Sequence, residues 1–195
     1  GRTQILIFNQ GDLVAHDSQT GQQLWQMGWS GWAECVSQPV PFPEDRVFLS
    51  SGYGIGAKMY HVTRQNDAFS AAVEWESPRL KAKFTNIVVH EGSVYGLDNG
   101  VLVCLDPATG ERRWKRGQYG HGQVMLIGDH LLIQAEDGYL AVVAARPDRF
   151  KELDRMNALR GKTWNNPAFA PPYLIVRNAR EAICYELAVK RSDPS

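Results

Sequence analysis

Two segments of the sequence share one unusual pattern. Residues 15–25 read AHDSQTGQQLW, and residues 104–114 read CLDPATGERRW. Both follow small-x-Asp-x-x-Thr-Gly-x-x-x-Trp, and a degenerate copy, VEW at 73–75, ends 39 positions before Trp114. A spacing of about 40 residues is the period of a four-stranded propeller blade. The repeat therefore predicts an all-β propeller.

The residues between these copies have the pattern of short strands. The runs FTNIVV, SVYGL, VLVCL and RRWK follow one another between residues 84 and 115, separated by turn-forming segments such as Asp98-Asn99-Gly100. Four short strands with Gly- and Asp-rich turns between them make one antiparallel blade. Residues 123–153 repeat this plan. Long segments of 3.6-residue periodicity, which a helical solenoid would need, are not found.

The strand pattern divides the chain into roughly four and a half blades, with strands labelled A to D from the channel outward. The predicted blades cover residues 1–28, 32–77, 83–116, 121–155 and 163–187. The first lacks strand A and the last lacks strand D. Because exposed strand edges are a liability, we expect the chain to belong to a larger ring of roughly seven or eight blades. End-to-end self-association, or contact with missing blades of the same gene product, would cover those edges.

The repeated motif has a mechanical explanation. The Asp side chains are predicted to accept backbone N–H groups of the tight turn between strands C and D, and the Gly residues to take a positive φ. The Trp residues then fall on strand D, where a large ring covers the groove between neighbouring blades. The predicted docking residues are Asp17, Thr20, Gly21, Trp25, Asp106, Thr109, Gly110 and Trp114.

This repeat resembles the tryptophan-docking motif of the pyrroloquinoline-quinone-like (PQQ-like) β-propeller family. Residues 15–25 match the motif in full, and residues 104–114 depart from it only by Cys104 in place of Ala. The resemblance covers nearly the whole chain and is greatest to non-enzymatic bacterial PQQ-like repeat proteins. The family includes both quinoprotein dehydrogenases and non-enzymatic scaffolds, so the resemblance implies a fold and leaves the function open.

The resemblance also says what a quinoprotein site would contain. Such dehydrogenases hold PQQ beside a disulfide of adjacent cysteines, a Ca²⁺ ion bound by Glu and Asn, and a catalytic Asp. Here Cys35, Cys104 and Cys184 are scattered, and no carboxylates are arrayed as an oxygen cage for a hard cation. We therefore predict no catalytic residue, no metal and no cofactor. A fragment of a quinoprotein dehydrogenase, with PQQ and calcium, is the alternative.

Composition excludes several classes of partner. The chain has 195 residues, with 21 Lys plus Arg and 21 Asp plus Glu, so its formal net charge is zero. A chain with this balance lacks the excess of basic residues that binds nucleic acid or an anionic membrane. The apolar runs of the chain are far shorter than the roughly 20 residues that span a bilayer. Since most family members with this motif work outside the cytoplasm, the resemblance implies a periplasmic or otherwise extracytoplasmic location, with an export signal encoded upstream of Gly1.

The candidate binding residues are those at which A strands begin and B–C loops end, because these positions share one face of a propeller. Uncharged hydrogen-bonding groups beside aromatic rings suit a polar small ligand or a peptide loop. The predicted contact residues are Tyr53, Asn86, His121, Gln123, Trp164 and Asn165, and the same face carries Trp32, Glu34, Thr85 and Asn166. His121, between two glycines, is the best single candidate.

The alternative for these residues is that they line a water-filled channel and cap the strand starts. The function predicted from the sequence is a non-catalytic binding or scaffolding propeller. It presents its loops and a polar channel mouth to a protein partner or a small ligand.

Overall fold

The computed structural model describes residues 2–31 and 35–188. All of the regular elements in that part of the chain are β-strands. In chain order they are β1 (Gln4–Asn9), β2 (Asp12–Asp17), β3 (Gln23–Gly28), β4 (Val40–Phe42), β5 (Arg46–Ser51), β6 (Gly56–Gln65), β7 (Ala68–Ser77), β8 (Val88–His90), β9 (Ser93–Asp98), β10 (Val101–Leu105), β11 (Arg112–Gln118), β12 (Gln123–Ile127), β13 (His130–Gln134), β14 (Tyr139–Ala144), β15 (Glu152–Asn157), β16 (Ala168–Ala170), β17 (Tyr173–Arg177) and β18 (Ala182–Glu186).

These strands form five antiparallel sheets, each built from consecutive strands. We number them as blades: blade 1 is β1–β3, blade 2 is β4–β7, blade 3 is β8–β11, blade 4 is β12–β15 and blade 5 is β16–β18. Every strand pairs with the next one in its blade, as hairpin-connected strands do. The predicted all-β propeller fold is confirmed. Within the described residues, no helix has the length and hydrophobicity needed to cross a membrane.

Four hydrophobic clusters hold consecutive blades together. Side chains alternate between the two faces of a strand, so neighbouring residues enter different clusters. On β5, Phe48 joins the cluster between blades 2 and 3, and Leu49 joins the cluster between blades 1 and 2. On β13, Leu131 packs toward blade 3 and Leu132 packs toward blade 5. A middle blade therefore needs apolar residues on both faces, which explains its continuous apolar strands.

The outward faces of the two end blades are exposed. On blade 5, Leu174 and Val176 are buried against blade 4, whereas Tyr173 and Ile175, which alternate with them, are 49% and 46% exposed. On blade 1, Ile5 and Ile7 point away from blade 2 in the same way. Among the described residues, no hydrophobic cluster joins blade 1 to blade 5.

The two Asp-x-x-Thr-Gly segments form the same turn. Asp106 Oδ1 accepts the N–H of Ala108, and the N–H of Gly110 donates to the Asp106 carbonyl. In the first copy, Asp17 Oδ1 accepts two backbone N–H groups, and Gly21 donates to the Asp17 carbonyl. These bonds hold the pKa of both carboxyls below the usual range, because they favour the charged form.

The tryptophans at the ends of the repeats differ in the acceptor to which the indole N–H donates. The indole N–H of Trp75 donates to the Pro107 carbonyl, and that of Trp114 donates to the Arg146 carbonyl, so each reaches the C–D turn of the next blade. Trp25 instead donates to Gln4 Oε1 in its own blade. Blade 2 differs from blades 3 and 4 at this place, because its ten-residue strands β6 and β7 continue as a long hairpin to a two-residue turn at 66–67.

Two strands depart from the sequence pattern. The run at 84–89 was expected to be strand A of blade 3, but β8 begins only at Val88. The backbone at Phe84 and Asn86 is hydrogen-bonded to the Gln123 side chain of the next blade instead of a neighbouring strand. Strand D of blade 4 lies at Glu152–Asn157, a few residues later than expected.

The repeated turns allow a matched test of packing between blades. At Gly110, φ is +70° and an added Cβ would lie 2.6 Å from the Trp75 ring, whereas at Gly21, φ is +72° and nothing lies within 4 Å. Both alanine variants should lose about 1–2 kcal/mol of unfolding free energy to the left-handed backbone. Gly110→Ala should lose about 1–3 kcal/mol more, since its methyl group displaces a packed ring. Denaturant titration of both variants measures the difference, and equal losses would contradict the ring contact.

Candidate functional site

The connections from each strand D to the next strand A lie at the same end of the blades as the B–C turns. We call this the mouth end. Trp32 and Glu34, which were predicted to face it, lie outside the described residues. The other predicted residues are described, and hydrogen bonds or ring contacts connect most of them across blades 3, 4 and 5.

An aromatic cluster occupies the centre of the mouth end. The Phe84 ring lies 5.5 Å from the His121 ring and 5.0 Å from the Trp164 ring, measured between centroids. The Trp164 side chain is 44% exposed, and its indole N–H donates to Glu136 Oε1 at 2.9 Å. The Lys162 ammonium lies 4.3 Å from the centroid of the same ring. The indole is therefore exposed to solvent but held in one orientation.

Gln123 fixes the backbone beneath this cluster. Its side chain is buried, and its Nε2 donates to the carbonyls of Phe84, at 2.9 Å, and Trp164, at 3.1 Å. Its Oε1 accepts the backbone N–H of Asn86 at 3.2 Å. Both amide hydrogens and the carbonyl are thus engaged by protein groups. Gln123 belongs to the site as a positioning residue that ties blades 3 and 5 to blade 4.

A second glutamine repeats the donor half of this arrangement. Gln134 pairs in register with Gln123 on the adjacent strand, and its Nε2 donates to the Asn165 carbonyl at 2.6 Å. The side chain of Asn86 meanwhile donates to Asn166 Oδ1 at 2.9 Å. The sequence analysis missed Gln134, although an amide that ends the apolar strand HLLIQ was an available signal. Its Oε1 is buried and accepts no hydrogen bond from the residues that the structure describes, so Gln134 acts here through its donors.

Tyr53 extends the cluster toward blade 2. It lies in the B–C turn of that blade at a φ of 57°, and its side chain is 48% exposed. The Lys83 ammonium lies 5.1 Å from the centroid of its ring. Since Lys83 precedes Phe84, the contacts form one continuous surface, the mouth row, which consists of Tyr53, Lys83, Phe84, His121, Trp164 and Lys162.

Glu136 is the carboxylate beneath the mouth row. Partial burial favours a higher pKa, but the backbone N–H of His121 and the indole N–H of Trp164 outweigh it and hold the pKa of Glu136 below its usual range. The carboxylate is therefore charged at neutral pH, and each oxygen accepts a hydrogen bond. Glu136 serves to orient the loop at His121 and the ring of Trp164.

Two described carboxylates at the mouth end, those of Glu136 and Asp98, do not fit a calcium-bound quinone. Calcium takes roughly six to eight oxygen ligands. Glu136 is engaged as described, and Asp98 accepts from the ammonium groups of Lys81 and Lys115. These oxygens already serve N–H donors of the protein, so no calcium cage forms from them.

A cavity of about 320 Å³ lies beside the mouth row, between the A strands of blades 2, 3 and 4. Its polar lining residues are Gln38 and Asn86, and the others are apolar, among them Val88 and Val124. The wall of this cavity is mostly apolar. Its volume is at the lower limit of typical ligand pockets, roughly 300 Å³.

At the opposite end, three potential metal ligands lie in the A–B turns of blades 3 and 4. His90 Nε2 is 3.3 Å from Asp129 Oδ1, and a Glu91 oxygen lies within 4.8 Å of both. Glu91 and Asp129 are exposed. A polar contact between His90 and Asp129 accounts for this arrangement without a metal.

Comparison with known proteins agrees with this architecture. Residues 60–150 match the family model described as outer membrane protein assembly factor BamB. The chain carries PQQ-like repeats. The matched segment runs from β6 of blade 2 to the C–D connection of blade 4, so it includes the second copy of the motif at 104–114. No curated protein matches the chain at a significant level.

Solved structures share the fold of these PQQ-like repeats at low sequence identity. BamB from Moraxella catarrhalis superposes with a TM-score of 0.69 at 17% identity, over 93% of this chain and 53% of that chain. Sqt1 from Saccharomyces cerevisiae gives 0.70 at 12% identity, over 95% and 57%. The computationally designed protein Ika4 gives 0.61 at 10% identity, over 87% and 100%. The chain thus spans about half the length of the BamB and Sqt1 structures.

Proposed function

We propose that this chain is part of a non-catalytic propeller that binds a protein partner through its mouth end. The observation that carries this proposal is the mouth row, where Tyr53 and Trp164 expose 48% and 44% of their surface. Trp and Tyr are enriched among the residues that dominate binding energy at protein interfaces. Large rings held in place lose little conformational entropy when a partner docks.

The base of the mouth row supports the same proposal. Gln123 and Gln134 bond to backbone carbonyls of the connection before blade 5, and Glu136 holds the indole of Trp164. A binding surface fixed by buried hydrogen bonds is preorganised, which favours recognition. Asn86, Gln123 and Asn165 are proposed to position the row, whereas Tyr53, His121 and Trp164 are proposed to make contact.

The proposed partner is a protein rather than a small molecule. The neighbouring cavity is small and mostly apolar, whereas the mouth row is an exposed surface built from several blades. The family model that matches this chain is named for an outer membrane protein assembly factor. By that similarity, we also propose a periplasmic or otherwise extracytoplasmic location.

The contacts between blades support a second part of the proposal. The rings of Trp75 and Trp114 reach the turn of the next blade, and we propose that they act as docking residues. The exposed outward faces of blades 1 and 5 are proposed to contact further blades, within a larger ring or in a second copy. The BamB structure is about twice the length matched here, which is compatible with a larger ring.

Photo-crosslinking in the native cell tests the proposed interface. A benzophenone amino acid placed at Tyr53 or Trp164 should crosslink to one predominant protein. The same probe at Glu91 or Asp129, exposed at the opposite end, is the matched control. Identical crosslinked products from both ends would overturn the proposal.

A further inference from the structure

The mouth row combines exposed aromatic rings with two lysines for which the described part of the chain provides no ion-pair partner. Lys83 and Lys162 each lie over a ring. The Lys83 Nζ is 5.1 Å from the centroid of the Tyr53 ring, and the Lys162 Nζ is 4.3 Å from that of the Trp164 ring. Within residues 2–31 and 35–188, neither lysine forms an ion pair. A lysine ammonium has three donors, so hydrogen-bonding capacity remains above both rings.

Glu136 offsets the charge of these lysines only in part, because its carboxylate also interacts electrostatically with Lys162. Glu136 accepts the indole N–H of Trp164 and the backbone N–H of His121, one on each carboxylate oxygen. Asp98 is bound by Lys81 and Lys115. Both carboxylates are thus occupied by groups of the protein. The row itself carries two ammonium groups and no carboxylate, with Lys162 exposed and Lys83 half-buried.

This arrangement discriminates between ligand charges. An aromatic cluster with open ring faces binds cations through the π-systems. Here the protein's own lysines occupy those positions over Tyr53 and Trp164. A cationic ligand would meet like charge, whereas a carboxylate would find donors beside an apolar surface of Phe84 and Trp164.

We propose that the mouth row recognises an extended acidic segment of the partner, with carboxylates on Lys83 and Lys162 and apolar side chains against Phe84 and Trp164. This inference rests on the proposed protein-binding function and specifies the chemistry of the partner at the same site. Because the lysines are at the surface, their contribution should weaken as ionic strength rises.

Fluorescence anisotropy tests this with a defined probe, the fluorescein-labelled peptide Glu-Phe-Glu-Leu-Glu-Phe-Glu. The full chain should bind it more tightly than the same peptide with Gln or Lys in place of Glu, and added salt should weaken the binding. Lys83→Gln and Lys162→Gln should each reduce affinity about two- to fivefold, as expected for an exposed ion pair. Lys151→Gln, at an exposed lysine near the opposite end, is the matched control.

The outcomes distinguish a failure of this inference from a failure of the proposed protein-binding function. Equal binding of the acidic, neutral and basic peptides, or no binding of any, would overturn the proposed recognition of an acidic segment. So would an equal effect of Lys151→Gln. A predominant crosslink from Tyr53 or Trp164 would still support protein binding in that case. Circular dichroism of each variant shows whether the fold is retained.

Discussion

Replacing Trp114 with alanine is expected to lower the free energy of unfolding by about 3–5 kcal/mol, as for other buried large-to-small changes. The ring is buried against Tyr95 and Phe150, at 5.9 and 5.7 Å between centroids, and its indole N–H donates to the Arg146 carbonyl at 2.9 Å. The alanine variant loses this packing and leaves the carbonyl without its donor.

The same loss is expected for Trp25→Ala, because Trp25 is also buried, although its indole bonds to Gln4 within blade 1. Denaturant titration of each variant measures the effect. Arg116→Ala is the control, since Arg116 is exposed on the same strand as Trp114 and should change stability by less than about 0.5 kcal/mol. If the tryptophan variants lose as little unfolding free energy as this control, that result would contradict a docking role for either ring.

The chain studied by itself is expected to associate rather than remain a 21.8 kDa monomer. Ile5 and Ile7 on blade 1, and Tyr173 and Ile175 on blade 5, expose between 41% and 51% of their surface. Each pair lies on a sheet face like those that are buried between blades elsewhere. Contiguous apolar patches beyond a few hundred Å² are rare on monomers. Light scattering at micromolar concentration should therefore show particles larger than the monomer, with hydrophobic dye bound.

Charged substitutions test whether the end faces cause this association. Ile7→Glu and Ile175→Glu place a carboxylate in the centre of each outward face, so both should shift the particles toward the monomer and reduce dye binding. Val73→Glu is the control, because Val73 is comparably exposed, at 38%, but lies on β7 in blade 2. A monodisperse monomer of the unmodified chain that binds no dye would show that the end faces do not drive association.

Local features of the fold could be predicted from the sequence because they depend on a few adjacent residues. The Asp-x-x-Thr-Gly turn closes on itself through Asp106 and Gly110, as the motif predicted. The alternation of side chains along a strand is equally local, and it sends Phe48 and Leu49 of β5 to opposite faces of blade 2. The strand order followed from hairpin connections, which join neighbours in the chain.

The site was predicted only in part, because its contacts join distant segments. Position relative to strand starts placed Asn86, His121 and Trp164 at one end of the blades. It could not show that Gln123 would be buried beneath them, or that Gln134 would serve as a second support. Lys83 and Lys162 carried no motif, and their place over aromatic rings depends on how the connections cross between blades.

The sequence by itself determined the repeat, the turn chemistry and the all-β class of this protein, since each follows from short-range periodicity and local hydrogen bonds. The tertiary structure decided which partners the repeated residues found. Trp75 and Trp114 reach the turn of the next blade, but Trp25 bonds to Gln4 in its own blade and faces a blade whose strands β6 and β7 form a longer hairpin. Identical motifs can therefore end in different contacts, because each contact also requires the neighbouring blade to present its acceptor.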